Sequence, residues 1–428
     1  MKTNTTDTVL RFMTCGSVDD GKSTVIGRLL FDTKTILTDT LAQIKNTSKK
    51  KGMKEIDLSL ITDGLQAERE QGITIDVAYR YFSTGNRKYI IADAPGHEQY
   101  TRNMVTAAST AELAIILIDA RKGILTQTKR HTYLAKLLGI KHIIVAINKM
   151  DLIEFDESKY ESICNDYRKF EKNILPKNNE IDIKFLPLSA LKGDMIVDRG
   201  SSMKWYRGPT LLDLLENLDT TNDVKESSFR FPVQYVCRPR ESDNKKLHDF
   251  RAFMGRIESG FLKINDKVKV LPSGNQSTIK EIRVGEKNIN EAIPEQSITV
   301  VLKDEIDISR GDMLVHYNDS IEAVKNFTAT ICWLSETPLS TNRTYFIYHT
   351  TRTSKARITS INHKVNIETL DHENVNALNK NDIANISFKL AQPLVVDNYN
   401  ENRGTGAFIL VDESSFHTVG AGMIQLLD

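Results

Sequence analysis

The chain has 428 residues, with 57 Lys plus Arg against 56 Asp plus Glu, so it is long enough for about three domains and carries no global attraction to nucleic acid. Cys15, Cys164, Cys237 and Cys332 are widely spaced and form no CxxC pair, which excludes a disulfide scaffold and points to core cysteines in a reducing compartment. The N-terminal MKTNTTDTVLRF lacks an apolar secretory core and no apolar run is long enough for a bilayer, so a soluble, cytoplasmic protein without membrane contact is expected.

Residues 10–15 read as a short buried strand. Residues 22–30 read as an amphipathic helix start, with Val25, Ile26, Leu29 and Leu30 on the apolar face. Between them, Gly16-Ser17-Val18-Asp19-Asp20-Gly21-Lys22-Ser23 fits Gly-x4-Gly-Lys-Ser, a loop whose backbone N–H groups cradle phosphate. Lys22 would bring its charge to the β and γ phosphates, and Ser23 its hydroxyl to Mg2+. The helix opening at Ser23 and Thr24 aims its positive end at the same anion. Lys49-Lys50-Lys51 falls in a long insert read as a solvated loop.

Residues 67–76 precede a strand and offer Thr74 as a mobile switch threonine, meeting Mg2+ and the γ-phosphate only in the triphosphate state. A strand over 89–92 ends in Asp93-Ala94-Pro95-Gly96-His97. Asp93 suits a contact to Mg2+ through water. Gly96 leaves its N–H free to approach the γ-phosphate, and His97 is placed to orient the attacking water. A buried strand over 114–119 is followed by a helix over 126–138 that Gly139 stops.

The next buried strand, 142–147, delivers Asn148-Lys149-Met150-Asp151. The Asp151 carboxylate can accept from N1–H and the 2-amino group of guanine; adenine has no donor there and would leave the charge unpaired. Lys149 would cover the ring and Asn148 would brace the site. Residues 185–188 then lead into Ser189-Ala190-Leu191-Lys192, where the Ala190 N–H is placed to donate to guanine O6. Five stations in this order, on strand ends spaced for a parallel sheet, identify GTP with Mg2+ as the ligand. They imply a doubly wound, Ras-like α/β domain over residues 1–222 with the ligand at the carboxyl ends of the strands. Hydrolysis would rest on His97, Lys22, Thr74 and Gly96; Mg2+ would be held by Ser23, Thr74 and, through water, Asp93.

After a helix near 210–218, the polar stretch 219–228 reads as a linker. Short strands divided by Gly, Pro and Asn turns follow, at 231–236, 250–257, 267–271, 298–302, 327–333 and 352–361. This pattern indicates two β-barrels, over 228–318 and 322–428. The remaining histidines show no metal spacing.

Several runs resemble one family. They are Asp19 to Thr24 with Ile26 to Leu30, Asp63 to Asp76, DAPGHEQYTRNM from Asp93 to Met104, Phe231 to Val236, Arg403 to Leu410, and Thr418 to Met423. Together they are similar to the GTPase (large) subunit of bacterial sulfate adenylyltransferase, over nearly the whole chain. The resemblance implies an elongation factor Tu-like architecture. It also implies a separate small subunit, in a heterodimer or larger assembly, that forms adenylyl sulfate and pyrophosphate from ATP and sulfate while this chain hydrolyses GTP. Ala94 stands where that family commonly has Thr, and Cys237 where it often has a polar residue. Some members carry a fused adenylylsulfate kinase; with no second phosphate loop before Asp428, that activity is not expected here. By analogy with translational relatives, Val18 and Ile73 form an apolar gate in front of His97. Arg69 and Arg102 read as surface salt-bridging residues, and no arginine finger is assigned. Two other readings share the same domains: an elongation factor carrying aminoacyl-tRNA, and a regulatory switch with no coupled enzyme.

Overall fold

A computed structural model of the chain describes residues 9–36, 38–50, 56–61, 74, 76–97, 100–174, 181–219, 228–238, 250–366, 369 and 371–426. The chain divides into two compact units near residue 220. In the first, β1 (Val9–Gly16), β2 (Ala78–Ser83), β3 (Lys88–Asp93), β4 (Leu113–Asp119), β5 (His142–Asn148) and β6 (Asp182–Pro187) form one sheet in the order β2-β3-β1-β4-β5-β6. The strands from β3 to β6 are parallel. The sheet is not parallel throughout, as the spacing suggested: β2 runs antiparallel to β3. The turn between them, closed by Thr84 N–H on the Arg87 carbonyl, is too short for a crossover and can only reverse the chain. Every residue of β4 is buried, as a central strand covered on both faces requires. Chain order reverses at β1, which opens a crevice at the carboxyl edge of the sheet.

Six helices surround this sheet among the described residues: α1 (Lys22–Asp32), α2 (Thr38–Lys50), α3 (Thr101–Thr110), α4 (Thr126–Leu137), α5 (Glu157–Ile174) and α6 (Leu211–Asn217). The apolar face of α1 is buried as read. The lysine run, however, does not begin in a loop. Lys49 is exposed on the last turn of α2, opposite a stripe where Ile44 and Ser48 are buried, and that i, i+4 spacing holds the segment helical. The 18-residue helix α5 goes beyond the expected elements. It buries Tyr160, Ile163, Cys164 and Tyr167, a single face at helical spacing.

The second unit holds two closed rings of antiparallel strands. In the first, Lys267–Leu271 pairs with both Gln276–Val284 and Met313–His316, closing the sheet around Phe231, Phe253, Val270 and Ile282. In the second, Thr344–His349 pairs with both Arg352–Val365 and Ala407–Asp412, around Trp333, Tyr345, Phe388 and Phe408. Closure removes the open edges that would otherwise invite pairing with other chains.

Arg230 joins the rings. Its Nε and Nη2 donate to Asp397 at 2.9 and 2.8 Å, and its Nη1 donates to Asp319. The arginine side chain is only 5 % exposed, the two carboxylates 11 and 12 %. Leu271, Met313 and Val315 of the first ring pack beside Val395 of the second. Removing the cation leaves two buried carboxylates facing each other, so Arg230→Ala is expected to destabilise this unit by about 3–5 kcal/mol. A lowered guanidinium midpoint for the transition reported by Trp333 fluorescence is the check; an unchanged midpoint would show that the clamp is not needed.

Among the described residues no helix is long and apolar enough to cross a membrane. None of the four cysteines is in a disulfide, and three of them are buried; burial pushes the Cys15 thiol up to about 12, which leaves it unreactive.

Candidate nucleotide-binding site

The loop between β1 and α1 is braced by its own side chains. The Ser17 N–H donates to Asp20 Oδ2 at 2.6 Å, and the Asp20 side chain is turned inward, 1 % exposed. Lys22 folds back over the loop, its Nζ donating to the Gly16 and Ser17 carbonyls at 3.0 and 2.9 Å. Burial pulls the Lys22 ammonium down, while Asp93 and Asp20 hold it up. The Asp20 carboxylate is thus an internal strut of the loop. Val18 and Ser23 are partly exposed, and Asp19 is exposed with a left-handed φ of 68°.

β3 brings Asp93 beside this loop. The Thr14 hydroxyl donates to Asp93 Oδ1 at 3.0 Å, and the Ala94 N–H donates to the Thr14 carbonyl at 3.1 Å. Asp93, Ala94, Pro95 and Gly96 are buried. Gly96 lies so close to the phosphate loop that a Cβ there would stand 2.6 Å from both the Gly16 carbonyl oxygen and Lys22 Nζ. Only glycine fits that approach, so Gly96 reports directly on the space around Lys22. His97 is exposed, its ring meeting Tyr100 edge-on at 6.5 Å. Thr74 is half-buried. Ile73, named above as half of a gate, lies outside the described residues, as does Arg69; Arg102 is exposed on α3.

The third cluster forms at the ends of β5 and β6. Asn148 is 2 % exposed and links two loops: its Nδ2 donates to the Asp20 carbonyl at 2.8 Å, and its Oδ1 accepts at 3.0 Å from the Ala190 N–H, so the donor expected to meet guanine O6 is taken up by this brace instead. The Ser189 hydroxyl donates to Asp151 Oδ1 at 2.6 Å, which leaves the other carboxylate oxygen for a base edge. Lys149, at φ 64°, donates to the Asp19 carbonyl and reaches Asp119 Oδ2 at 3.0 Å. The Met150 side chain is wholly buried in the core and contributes spacing to the motif, while Leu191 is 52 % exposed. A cavity of about 580 Å³ opens beside this cluster, lined by Thr24, Arg28, Phe31, Leu58, Ala190 and Lys192. Phosphate loop, Asp93-to-Gly96 turn and base-reading loops thus form one continuous structure, tied at Lys22 and Asn148.

The donor set suits a magnesium nucleotide. Mg2+ is commonly held by one or two protein oxygens plus phosphate and water; the Ser23 hydroxyl at the start of α1 and the Thr74 hydroxyl would be the direct donors, with Asp93 at the end of β3 reaching the metal through water. Among the described residues no three His, Cys, Asp or Glu side chains come together as ligands, and a metal held chiefly by phosphate and water does not need such a group.

Residues 7–222 match the family model for the elongation factor Tu GTP binding domain, and residues 326–425 the model for the GTP-eEF1A C-terminal domain-like family. Sulfate adenylyltransferase subunit 1 of Cellvibrio japonicus is 51% identical over 418 residues, covering 97% of this chain and 86% of the relative. The chain belongs to the sulfate adenylyltransferase subunit 1 family. Proteins of that name from Bacteroides fragilis and Aliarcobacter butzleri are 50% and 51% identical, each over 97% of this chain and 86 and 87% of the relative. Among solved structures, a chain of sup35 complexed with GDP aligns over 98% of this chain and 94% of its own, at 23% identity and a TM-score of 0.44.

Two residues of this chain join the site without having been marked in the sequence. Asp119, 1 % exposed at the end of β4, accepts from Arg121 Nε and Nη2 at 3.0 and 2.7 Å and pairs with Lys149. Burial would raise its carboxyl, but the hydrogen bonds from Arg121 and Lys149 outweigh this and hold it well below the usual carboxylate range. It steers the lysine expected to cover the base. Its signal was available: an aspartate ending a wholly apolar strand, the same placement that marks Asp93. The other residue is Arg28, on α1, which reaches the loop at Ala190.

Proposed function

We propose that this chain binds and hydrolyses GTP with Mg2+, and that hydrolysis drives adenylyl sulfate formation on a separate small subunit. The observation that carries this reading is about 50% identity across 97% of the chain with proteins named as subunit 1 of sulfate adenylyltransferase, joined to a guanine-reading cluster that Asn148 ties to the phosphate loop. ATP and sulfate give adenylyl sulfate and pyrophosphate, an uphill step. Cleavage of GTP by water to GDP and phosphate offsets it. Bound Mg2+ would neutralise charge on the β and γ phosphates. Lys22 binds those phosphates, Gly96 lets the turn after β3 close upon them, and His97 orients the attacking water. Thr74 closes with the triphosphate and relaxes after γ-phosphate loss, which gives the partner two surfaces to distinguish. Four cysteines outside any disulfide support work in a reducing compartment such as the cytoplasm.

The test combines the purified chain with the small subunit and follows pyrophosphate release from ATP and sulfate. Release stimulated several-fold by GTP, and not by a non-hydrolysable analogue, is expected. Release indifferent to GTP, with tight binding of aminoacyl-tRNA instead, would overturn the reading in favour of an elongation factor.

A further inference from the structure

The loop that presents the Ala190 N–H is held from two sides. On one, Asn148 Oδ1 accepts from that N–H at 3.0 Å. On the other stands Arg28, two helical turns along the helix that starts at the phosphate loop. Its Nε donates to the Ala190 carbonyl at 3.2 Å and its Nη2 donates to the Leu191 carbonyl. The guanidinium lies flat against Gly193, where a Cβ would stand 3.3 Å from Arg28 Cζ. Asp32, one turn further on, holds the Nη1 edge at 3.6 Å. With its side chain 18 % exposed, Arg28 is a fixed part of this wall.

The consequence follows from peptide geometry. The Ala190 carbonyl and the Leu191 N–H share one rigid plane. Anchoring that oxygen therefore sets the direction of the N–H, and anchoring the Leu191 carbonyl fixes the plane after it. A planar fork with several donors can hold two successive carbonyls at once; a lysine, a single point charge on a flexible stem, cannot do this as well. Without the fork, residues 190–192 would keep Asn148, the Ser189 hydroxyl, which accepts from the Lys192 N–H at 3.3 Å, and the contact of Lys192 with the Phe155 ring.

We propose that Arg28 is a positioning residue for base selection: it clamps the Ala190 and Leu191 carbonyls so that the Leu191 N–H, which shares the plane of the Ala190 carbonyl, meets the 6-oxo group of guanine. The proposal rests on the guanine reading given above. It also means that the helix carrying the phosphate-binding lysine fixes the far side of the base pocket.

The test uses the full chain, as wild type, Arg28→Ala and Arg28→Gln, titrated with GTP, 6-thio-GTP and ATP. 6-Thio-GTP keeps the two donors that Asp151 reads but replaces O6 by sulfur, a weak acceptor. For Arg28→Ala, GTP affinity is expected to fall about tenfold, the worth of one well-placed hydrogen bond, and 6-thio-GTP affinity by less than about twofold. Arg28→Gln, which keeps one donor nitrogen, should fall between; it also serves as the test variant if the alanine form does not fold. Equal weakening for both nucleotides, or none for either, overturns the role of Arg28 while the wild type still prefers GTP to ATP. A wild type with no preference for GTP over ATP overturns the guanine reading itself, and this inference with it.

Discussion

Asp151→Asn is expected to turn a guanine site into a xanthine site. In the wild type the Ser189 hydroxyl occupies Asp151 Oδ1, leaving the second oxygen as a charged acceptor for N1–H and the 2-amino group. Asparagine keeps an oxygen whose two lone pairs can accept from both Ser189 and N1–H, and it turns an amide N–H toward position 2 of the base. There the 2-amino group of guanine would meet donor with donor, whereas the 2-oxo group of xanthine would meet donor with acceptor. Sites that read a base through buried hydrogen bonds discriminate by about 10⁴, so GTP affinity should fall by orders of magnitude while XTP affinity rises. Competition binding with GTP, XTP and ATP measures both changes. An unchanged order of preference would place the base elsewhere.

His97→Ala should act on the rate alone. The imidazole is exposed and meets only the edge of Tyr100 among the ring contacts of this turn, whereas the turn itself is fixed by the close approach of Gly96 to Lys22 and by the Ala94 N–H. Truncating the ring leaves that framework standing. A positioned group that handles the attacking water contributes about 10²–10⁴ in rate, so single-turnover GTP cleavage, measured with the partner subunit present, should slow by that factor. GTP affinity should stay within about twofold, because nothing that holds the nucleotide is lost. Parallel losses in rate and affinity would mean that His97 belongs to the binding framework and not to the water.

The contrast between these residues and Arg28 or Asp119 shows what the chain discloses when read linearly. The phosphate loop, Asp93 to His97, Asn148 to Asp151 and Ser189 to Leu191 are contiguous runs at strand ends, where one short segment carries both the chemistry and the geometry. Arg28 is different. Its partner lies 162 residues away, and nothing local distinguishes a helix arginine that grips distant carbonyls from one that points to water. Asp119 could have been found by its strand-end position, but its role depends on Arg121 and Lys149 converging upon it. The fold divides similarly. Central strands were legible from their apolar runs, and the rings from their turn-separated strands. The antiparallel course of β2 follows from a hairpin, and the helix at Lys49 from a buried stripe that the lysine run obscured. Asn148 was read as a brace; that it spans from the Asp20 carbonyl to the Ala190 N–H, and so takes up the donor expected for O6, needs three segments to be seen together.

The Arg230 clamp bears on mechanics as well as on folding. Two rings held by a bidentate arginine, a second carboxylate and a shared apolar seam have little freedom to swivel on one another. Such a pair behaves as a single stiff arm. A small rotation imposed on one ring would then be carried to the other, with a displacement that grows with distance from the pivot. A surface on either ring can thus register an event at the other without any change in its own local structure.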